Sequence, residues 1–224
     1  MSPFSTLPPE AVLFDLDGTL VDSVPSLAAA VDRTLAALGR PQAGVDKVRD
    51  WVGNGAQKLV ERALAGNREA LPAPAADQVE DALALFLEFY GEQPEVGTRL
   101  YPGVSECLQQ LSARQVPMAV VTNKPERFVP PLLDSFGIDG HFALVLGGDS
   151  LATKKPHPAP LQHAAEHFGV APERCLMVGD SMTDVRAARA AGMPVACVSY
   201  GYNHGTPISE AGADWTVDSL TELL

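Results

Sequence analysis

Apolar and polar positions along the chain change rhythm more than once, and the changes divide it into regions. Residues 11–15 (AVLFD) are a compact run of strand-forming side chains closed by an acidic residue and then Gly18, which suits a strand buried on both faces. From Leu27 through Val31, Leu35 and Leu38 the apolar positions recur at helical spacing until Gly39 and Pro41 stop them. Leu59, Ala63 and Leu64 mark a second helical stretch, and Val79, Leu83, Phe86, Leu87 and Tyr90 a third. The loop between these carries Gly66, Pro72 and Pro74. Residues 23–98 therefore read as helix alone.

After Tyr101-Pro102-Gly103 the pattern alternates. Helices expected at 104–114, 126–136, 159–168 and 183–191 interleave with strands at 118–122, 142–146, 175–179 and 195–198, and a last short strand is expected at 215–217. Parallel strands need crossover connections, so this alternation favours a parallel sheet with helices on both sides. The expected fold class is α/β: a doubly wound, Rossmann-like parallel sheet core formed by residues 1–22 and 99–224. A helical domain, residues 23–98, is inserted after the first strand. There is no internal repeat and no low-complexity segment.

Composition narrows the setting. A chain of 224 residues, 46% hydrophobic, can bury enough apolar surface to fold without disulfides. Cys107, Cys175 and Cys197 lack metal-ligand spacing and read as buried thiols of a reducing compartment. The formal net charge of −12 repels nucleic-acid phosphates and anionic lipid, so neither nucleic acid nor membrane is an expected partner. Any phosphate bound here must be captured locally. The densest apolar stretch, residues 82–87, is interrupted by Glu88 and is far too short to span a bilayer. Residues 1–10 contain no Lys or Arg and read as a short tail rather than a secretion signal, which makes the cytoplasm the expected location.

In open parallel sheets, ligands bind beyond the carboxyl ends of the strands. Strand one runs into Asp15-Leu16-Asp17-Gly18-Thr19, the next into Thr122-Asn123, and the strand at 175–179 into Gly179-Asp180-Ser181 with Asp184 behind; Lys154-Lys155-Pro156 follows the strand at 142–146. Each alone reads as a turn, a helix cap or a solvated loop. Together they gather carboxylates, hydroxyls, an amide and a lysine at one sheet edge, where like charges are costly without a counter-cation. A hard divalent ion held by oxygens fits, and Mg2+ is the usual companion of phosphates. The natural reaction is phosphoryl transfer. Asp15 would attack phosphorus, and Asp17 would protonate the leaving oxygen and then activate water. Gly18 would let backbone N–H groups approach the phosphate. Thr122, Asn123 and Lys155 would donate to its oxygens.

Asp15-x-Asp17-Gly18-Thr19, Thr122-Asn123, Lys155-Pro156 and Gly179-Asp180-Ser181-x-x-Asp184, in this order, resemble the four motifs of the haloacid dehalogenase superfamily. The resemblance implies that Asp15, the Asp17 carbonyl and Asp180 bind magnesium, with Thr19, Ser181 and Asp184 in support. It also implies that the helical insert is a mobile cap. Dehalogenase members lack the second Asp, so Asp17 argues for phosphatase or phosphomutase chemistry. Within the superfamily, segments such as FDLDGTLVDSVPSLAAAVD, WVGNGAQKLVERAL, VTNKPERF, KKPHPAPL and VGDSMTDVRAARAAG resemble bacterial phosphoglycolate phosphatases. The implied substrate is a small phosphate monoester, 2-phosphoglycolate. A sugar phosphate such as N-acetylmuramic acid 6-phosphate and a phosphomutase reaction remain alternatives, as does, more distantly, a phospho-acceptor switch. Monomer and homodimer are both open.

A substrate carboxylate would want a cation, and Lys47, Arg49, Lys58 and Arg62 in the insert are the candidates, beside the Val52-Gly53-Asn54-Gly55 loop. Lys154 competes with Lys155 for the phosphate, though adjacency to Pro156 favours Lys155. His163 and His167 read as surface residues, because no third metal ligand accompanies them. Tyr200 to Gly205 reads as a Gly-rich connection or a wall of the pocket.

Overall fold

The computed structural model describes Phe4, residues 8–203 and residues 207–224. Residues 1–3 and 5–7 of the expected tail, and His204 and Gly205 of the connection after the strand at 195–198, lie outside the described residues. The chain forms two compact units, one of residues 1–22 with 100–224 and one of residues 23–99.

The first unit is built on a six-stranded parallel sheet: β1 (Ala11–Phe14), β4 (Met118–Val121), β5 (Leu144–Leu146), β6 (Cys175–Gly179), β7 (Val195–Val198) and β8 (Trp215–Val217), in the spatial order β5-β4-β1-β6-β7-β8. β1 is central, with Val12 opposite Met118 on one side and Leu176 on the other. The chain builds outward from β1 to β4 and β5, then returns to β1's other flank for β6, β7 and β8. This reversal puts the topological switch point beside β1. Two further short strands, β2 (Val21–Asp22) and β3 (Arg99–Leu100), mark where the chain leaves the unit and where it returns.

Alternation along β1 explains why AVLF is apolar throughout. Val12 and Phe14 face one core with residues of α5 (Val104–Ala113) and α6 (Val129–Ser135), including Leu108, Leu111 and Leu132. Ala11 and Leu13 face another with Leu161 and Ala164 of α7 (Ala159–Phe168) and Val185 and Ala188 of α8 (Met182–Ala191). A strand buried on both faces has no position for a polar side chain until it ends, so Asp15 falls where the ladder stops. Cys107, Cys175 and Cys197 are free and buried, and burial pushes the Cys107 thiol up to about 12.

Some boundaries differ from the sequence reading. The helix expected at 126–136 is a 3-10 turn at Glu126–Phe128 followed by α6, because Pro130 and Pro131 have no N–H to continue a preceding helix. The strand expected from residue 142 begins at Leu144, after a 3-10 turn at Asp139–His141; Phe142 instead sets its ring edge-on to Phe14, 6.3 Å between centroids.

The second unit consists of α1 (Val24–Ala37), α2 (Val45–Trp51), α3 (Ala56–Ala65) and α4 (Ala76–Glu92). Val24, Leu27, Val31 and Leu35 make the buried stripe of α1, and Leu59, Ala63 and Leu64 that of α3. On α4, Phe86 and Tyr90 stack one turn apart with centroids 5.8 Å apart. The helix α2 has no counterpart in the sequence reading. Among the described residues, no helix is long and apolar enough to cross a membrane.

Candidate active site

The carboxyl ends of β1, β4 and β6 lie side by side, and the loops that leave them carry the expected polar residues. Asp15 follows β1 directly. Its Oδ1 accepts from the Leu16 N–H at 2.8 Å and meets the Lys155 ammonium at 3.0 Å. Lys155 is fully enclosed, and its Nζ lies 2.7 Å from Asp184 Oδ1. Lys154 is exposed, so the lysine next to Pro156 is the one that enters the site.

Asp184 anchors the floor. Its Oδ2 accepts from the Ser181 hydroxyl at 2.7 Å, from the Ser181 N–H at 3.1 Å and from the Asp180 N–H at 3.3 Å. Ser181 and Asp184 thereby form a capping box at the start of α8, which satisfies N–H groups that the first helical turn leaves orphaned. Asp180 is held by the Tyr202 N–H on Oδ2 at 2.6 Å and by the Thr19 hydroxyl on Oδ1 at 3.2 Å. Gly18, at φ +90°, and Gly201 pack their backbones against this carboxylate, and a Cβ at either would collide with it.

Asp15, Asp180 and Asp184 each place one oxygen within 4.8 Å of the others. Burial pushes the Asp15 carboxyl up to about 6; Asp184 adds to the push, while Lys155 opposes it. Burial raises Asp180 well above the usual carboxylate range, and the Asp184 and Asp15 charges raise it further. Lys155 is held above its ordinary value because the Asp15 and Asp184 charges outweigh the burial that opposes its ammonium. One ammonium among three carboxylates, Asp180 and Asp184 buried and Asp15 partly so, leaves negative charge that a divalent cation would neutralise. With Asp184 committed to Lys155 and Ser181, Asp15 and Asp180 are the oxygens that suit such an ion. The donor set is all oxygen, as a hard cation requires.

Thr122 and Asn123 are buried at the end of β4. Thr122 Oγ1 accepts from the Lys124 N–H at 3.3 Å. The Asn123 side-chain amide donates to the Lys155 carbonyl at 2.9 Å, tying the β4 loop to the lysine loop, and its Oδ1 is buried without a hydrogen-bond partner.

The family model of the haloacid dehalogenase-like hydrolases matches residues 9–192, a span that includes every one of these side chains except Tyr202 and Gly201. The chain belongs to this family. Among relatives of this hydrolase, phosphoglycolate phosphatase 1 of Pseudomonas aeruginosa is 51% identical over 221 residues, a span of 99% of this chain and 80% of that one. The phosphoglycolate phosphatase of Nitrosococcus oceani is 49% identical over 215 residues, 96% of this chain and 95% of that one. A crystal structure described as a predicted phosphoglycolate phosphatase from Haemophilus somnus matches with a TM-score of 0.89 at 41% identity, covering 96% of each chain.

Two features of this haloacid dehalogenase-like hydrolase escaped the sequence reading. Lys124 is buried, with its Nζ 3.1 Å and 3.3 Å from the two carboxylate oxygens of Asp17. Its signal was its place directly after Thr122-Asn123. The second is a link from Tyr202, which holds Asp180 through its N–H and donates its hydroxyl to Asp22 Oδ1 at 2.6 Å. Among the insert's cations, Arg62 donates to the Trp51 carbonyl at 2.5 Å, to Asn54 Oδ1 at 2.9 Å and to the Arg68 carbonyl at 2.8 Å. It thus braces the loop at Val52-Gly53-Asn54-Gly55. Lys58 pairs with Glu61 at 2.8 Å. His163 and His167 are exposed on α7.

Proposed function

We propose that this hydrolase converts 2-phosphoglycolate and water to glycolate and phosphate, through a phosphoryl group carried on Asp15, with magnesium as the divalent ion. The observation that carries the reading is the Asp15 carboxylate at the tip of the central strand. It is backed by Lys155 and crowded by Asp180 and Asp184, next to a second carboxylate, Asp17, two residues on. The relatives named for phosphoglycolate support the choice of substrate.

In the first step an Asp15 oxygen attacks phosphorus and the bond from phosphorus to the ester oxygen breaks. Asp17 gives that oxygen a proton, and glycolate leaves. In the second step Asp17 takes a proton from water, the water oxygen attacks phosphorus, and the bond from phosphorus to Asp15 breaks, releasing inorganic phosphate. Lys155 and Thr122 donate to the phosphoryl oxygens. Asn123 contributes its backbone N–H and fixes the Lys155 loop, and Gly18 allows close backbone approach. Asp15, Asp180 and the Asp17 carbonyl would hold the magnesium ion, which supplies positive charge to the phosphoryl oxygens and to the carboxylates around them. Thr19, Ser181 and Asp184 keep those ligands in place. On this reading the helical unit serves as the cap.

The test is a kcat/KM panel with magnesium over 2-phosphoglycolate, N-acetylmuramic acid 6-phosphate, a hexose phosphate and a nucleotide. Preference for another substrate by more than about tenfold, roughly 1.4 kcal/mol of transition-state binding, would displace the substrate assignment. Turnover without free phosphate would indicate a mutase.

A further inference from the structure

The segment Tyr200-Gly201-Tyr202, just past β7, has no step in the proposed reaction, yet all three residues bear on the loops that carry the site. The Tyr200 hydroxyl donates to the Thr19 carbonyl at 2.9 Å, and the Tyr202 hydroxyl to Asp22 Oδ1 at 2.6 Å. Between them, Gly201 packs its backbone against the Asp180 carboxylate, which the Tyr202 N–H also holds at 2.6 Å. We infer that Tyr202 is a positioning residue, whose hydroxyl keeps the turn after β1 in register with Asp180 and so prepares the site for its cation. The inference rests on the proposed magnesium site and deepens it.

That site draws its oxygens from two strands. Asp180 follows β6, whereas the Asp17 carbonyl belongs to the turn after β1. Internal bonds give the turn its shape: the Leu20 and Val21 N–H groups donate to the Leu16 carbonyl at 2.9 Å and 3.1 Å, and the Gly18 N–H to the Val21 carbonyl at 2.9 Å. None of these sets its distance from Asp180. The Thr19 hydroxyl makes one long cross-link to Asp180, at 3.2 Å. Tyr202 makes a stronger one, because its N–H grips Asp180 while its hydroxyl reaches Asp22 at the far end of the turn. Its ring also lies against Gly18, where a Cβ would stand 2.9 Å from Cδ2. Tyr202 and Asp22 are each 3% exposed, so water does not compete for the bond between them. Asp15, at the head of the turn, and Asp180 place oxygens within 4.8 Å of each other. In the metal-free site this repulsion drives the two loops apart. A tether made before the ion arrives spares binding the work of gathering its ligands.

The experiment is a calorimetric titration of magnesium into the EDTA-stripped full chain, for wild type, Tyr202→Phe, Asp22→Ala, Asp22→Asn and the double variant Tyr202→Phe/Asp22→Ala. Tyr202→Phe keeps the ring and the N–H on Asp180 and removes only the hydroxyl. Its magnesium Kd should rise about tenfold, as when the competent arrangement falls to about a tenth of the population. Asp22→Ala should match it, the double variant should be no worse than either single one, and Asp22→Asn, whose amide oxygen still accepts, should stay near wild type. Amide exchange supplies a second readout: in the metal-free state residues 18–21 should exchange faster in Tyr202→Phe than in wild type, and magnesium should narrow the gap. Should Asp22→Ala fail to fold, as judged by circular dichroism, Tyr202→Phe and Asp22→Asn read the same affinity. A Tyr202→Phe variant that loses Tm equally with and without magnesium, at an unchanged Kd, would show a merely structural hydroxyl and overturn the inference. Additive losses in the double variant would do the same. Both results leave the proposed function standing, whereas a wild type that binds no magnesium would defeat it together with the inference.

Discussion

Replacing Asp15 with asparagine should stabilise the metal-free protein at neutral pH while removing its activity. Burial beside Asp184 raises the Asp15 carboxyl from an ordinary 3.8 to about 6, despite the opposing Lys155 charge. A carboxyl raised on folding binds its proton more tightly in the folded state. Its contribution is therefore fully present below pH 4 and is lost as the pH climbs through 6. At pH 7.5 the ionised, metal-free site carries a penalty of up to roughly 3 kcal/mol from this one group. An asparagine side chain there would be nearly isosteric and uncharged, so Asp15→Asn should recover much of that, about 6–12 °C in Tm for a chain of this size. The assay is thermal denaturation of EDTA-treated protein followed by circular dichroism, at pH 7.5 and again near pH 4. The gain should shrink at the lower pH, and added magnesium should narrow the gap by stabilising wild type more than the variant. A variant less stable than wild type at pH 7.5, or a gain indifferent to pH, would refute the electrostatic account of the cluster.

Other expectations follow from the same geometry. Asp17→Asn should lower kcat by about 10²- to 10⁴-fold, the usual worth of a general acid–base, and rapid-quench assays should find the phosphoryl enzyme accumulating. Gly18→Ala places a Cβ against the Asp180 carboxylate at a φ of +90°, so magnesium affinity measured by calorimetry should fall and Tm should drop. Arg62→Met removes three hydrogen bonds, one to Asn54 within the Val52–Gly55 loop, one to the Trp51 carbonyl just before it and one to the Arg68 carbonyl, and strands both carbonyls. It should cost about 3 kcal/mol in urea denaturation, of the order expected for losing charge-assisted bonds in a buried setting.

The sheet could be read from the sequence because each buried strand is an unbroken apolar run and each crossover helix keeps a 3.6-residue rhythm. β6, β7, β8 and α7 fall at the expected residues. The misses have local causes. α2 spans only seven residues, and of its apolar positions Val45 faces solvent, leaving Val48 and Trp51 too sparse a pattern to register as a helix. The sequence pattern puts Thr122 inside its strand, whereas β4 ends at Val121 and Thr122 keeps only its N–H bond to the Leu146 carbonyl, at 2.9 Å. The acidic residues of the site were legible because each follows a strand end. Lys124 was not, since a lysine before Pro125 looks like any solvated loop residue until the fold brings Asp17 alongside. The Tyr202–Asp22 hydrogen bond spans 180 positions in sequence, and no local pattern encodes it.

On the proposed mechanism, Asp15 is covalently phosphorylated during turnover. The enzyme should be mixed with 2-phosphoglycolate and magnesium, quenched in acid within the first turnover, reduced with borohydride and mapped by mass spectrometry. Residue 15 alone should be converted to the reduction product of an acyl phosphate, and Asp15→Asn should show neither this product nor turnover. A modified residue elsewhere, or Asp15→Asn turning over at the wild-type rate, would contradict it.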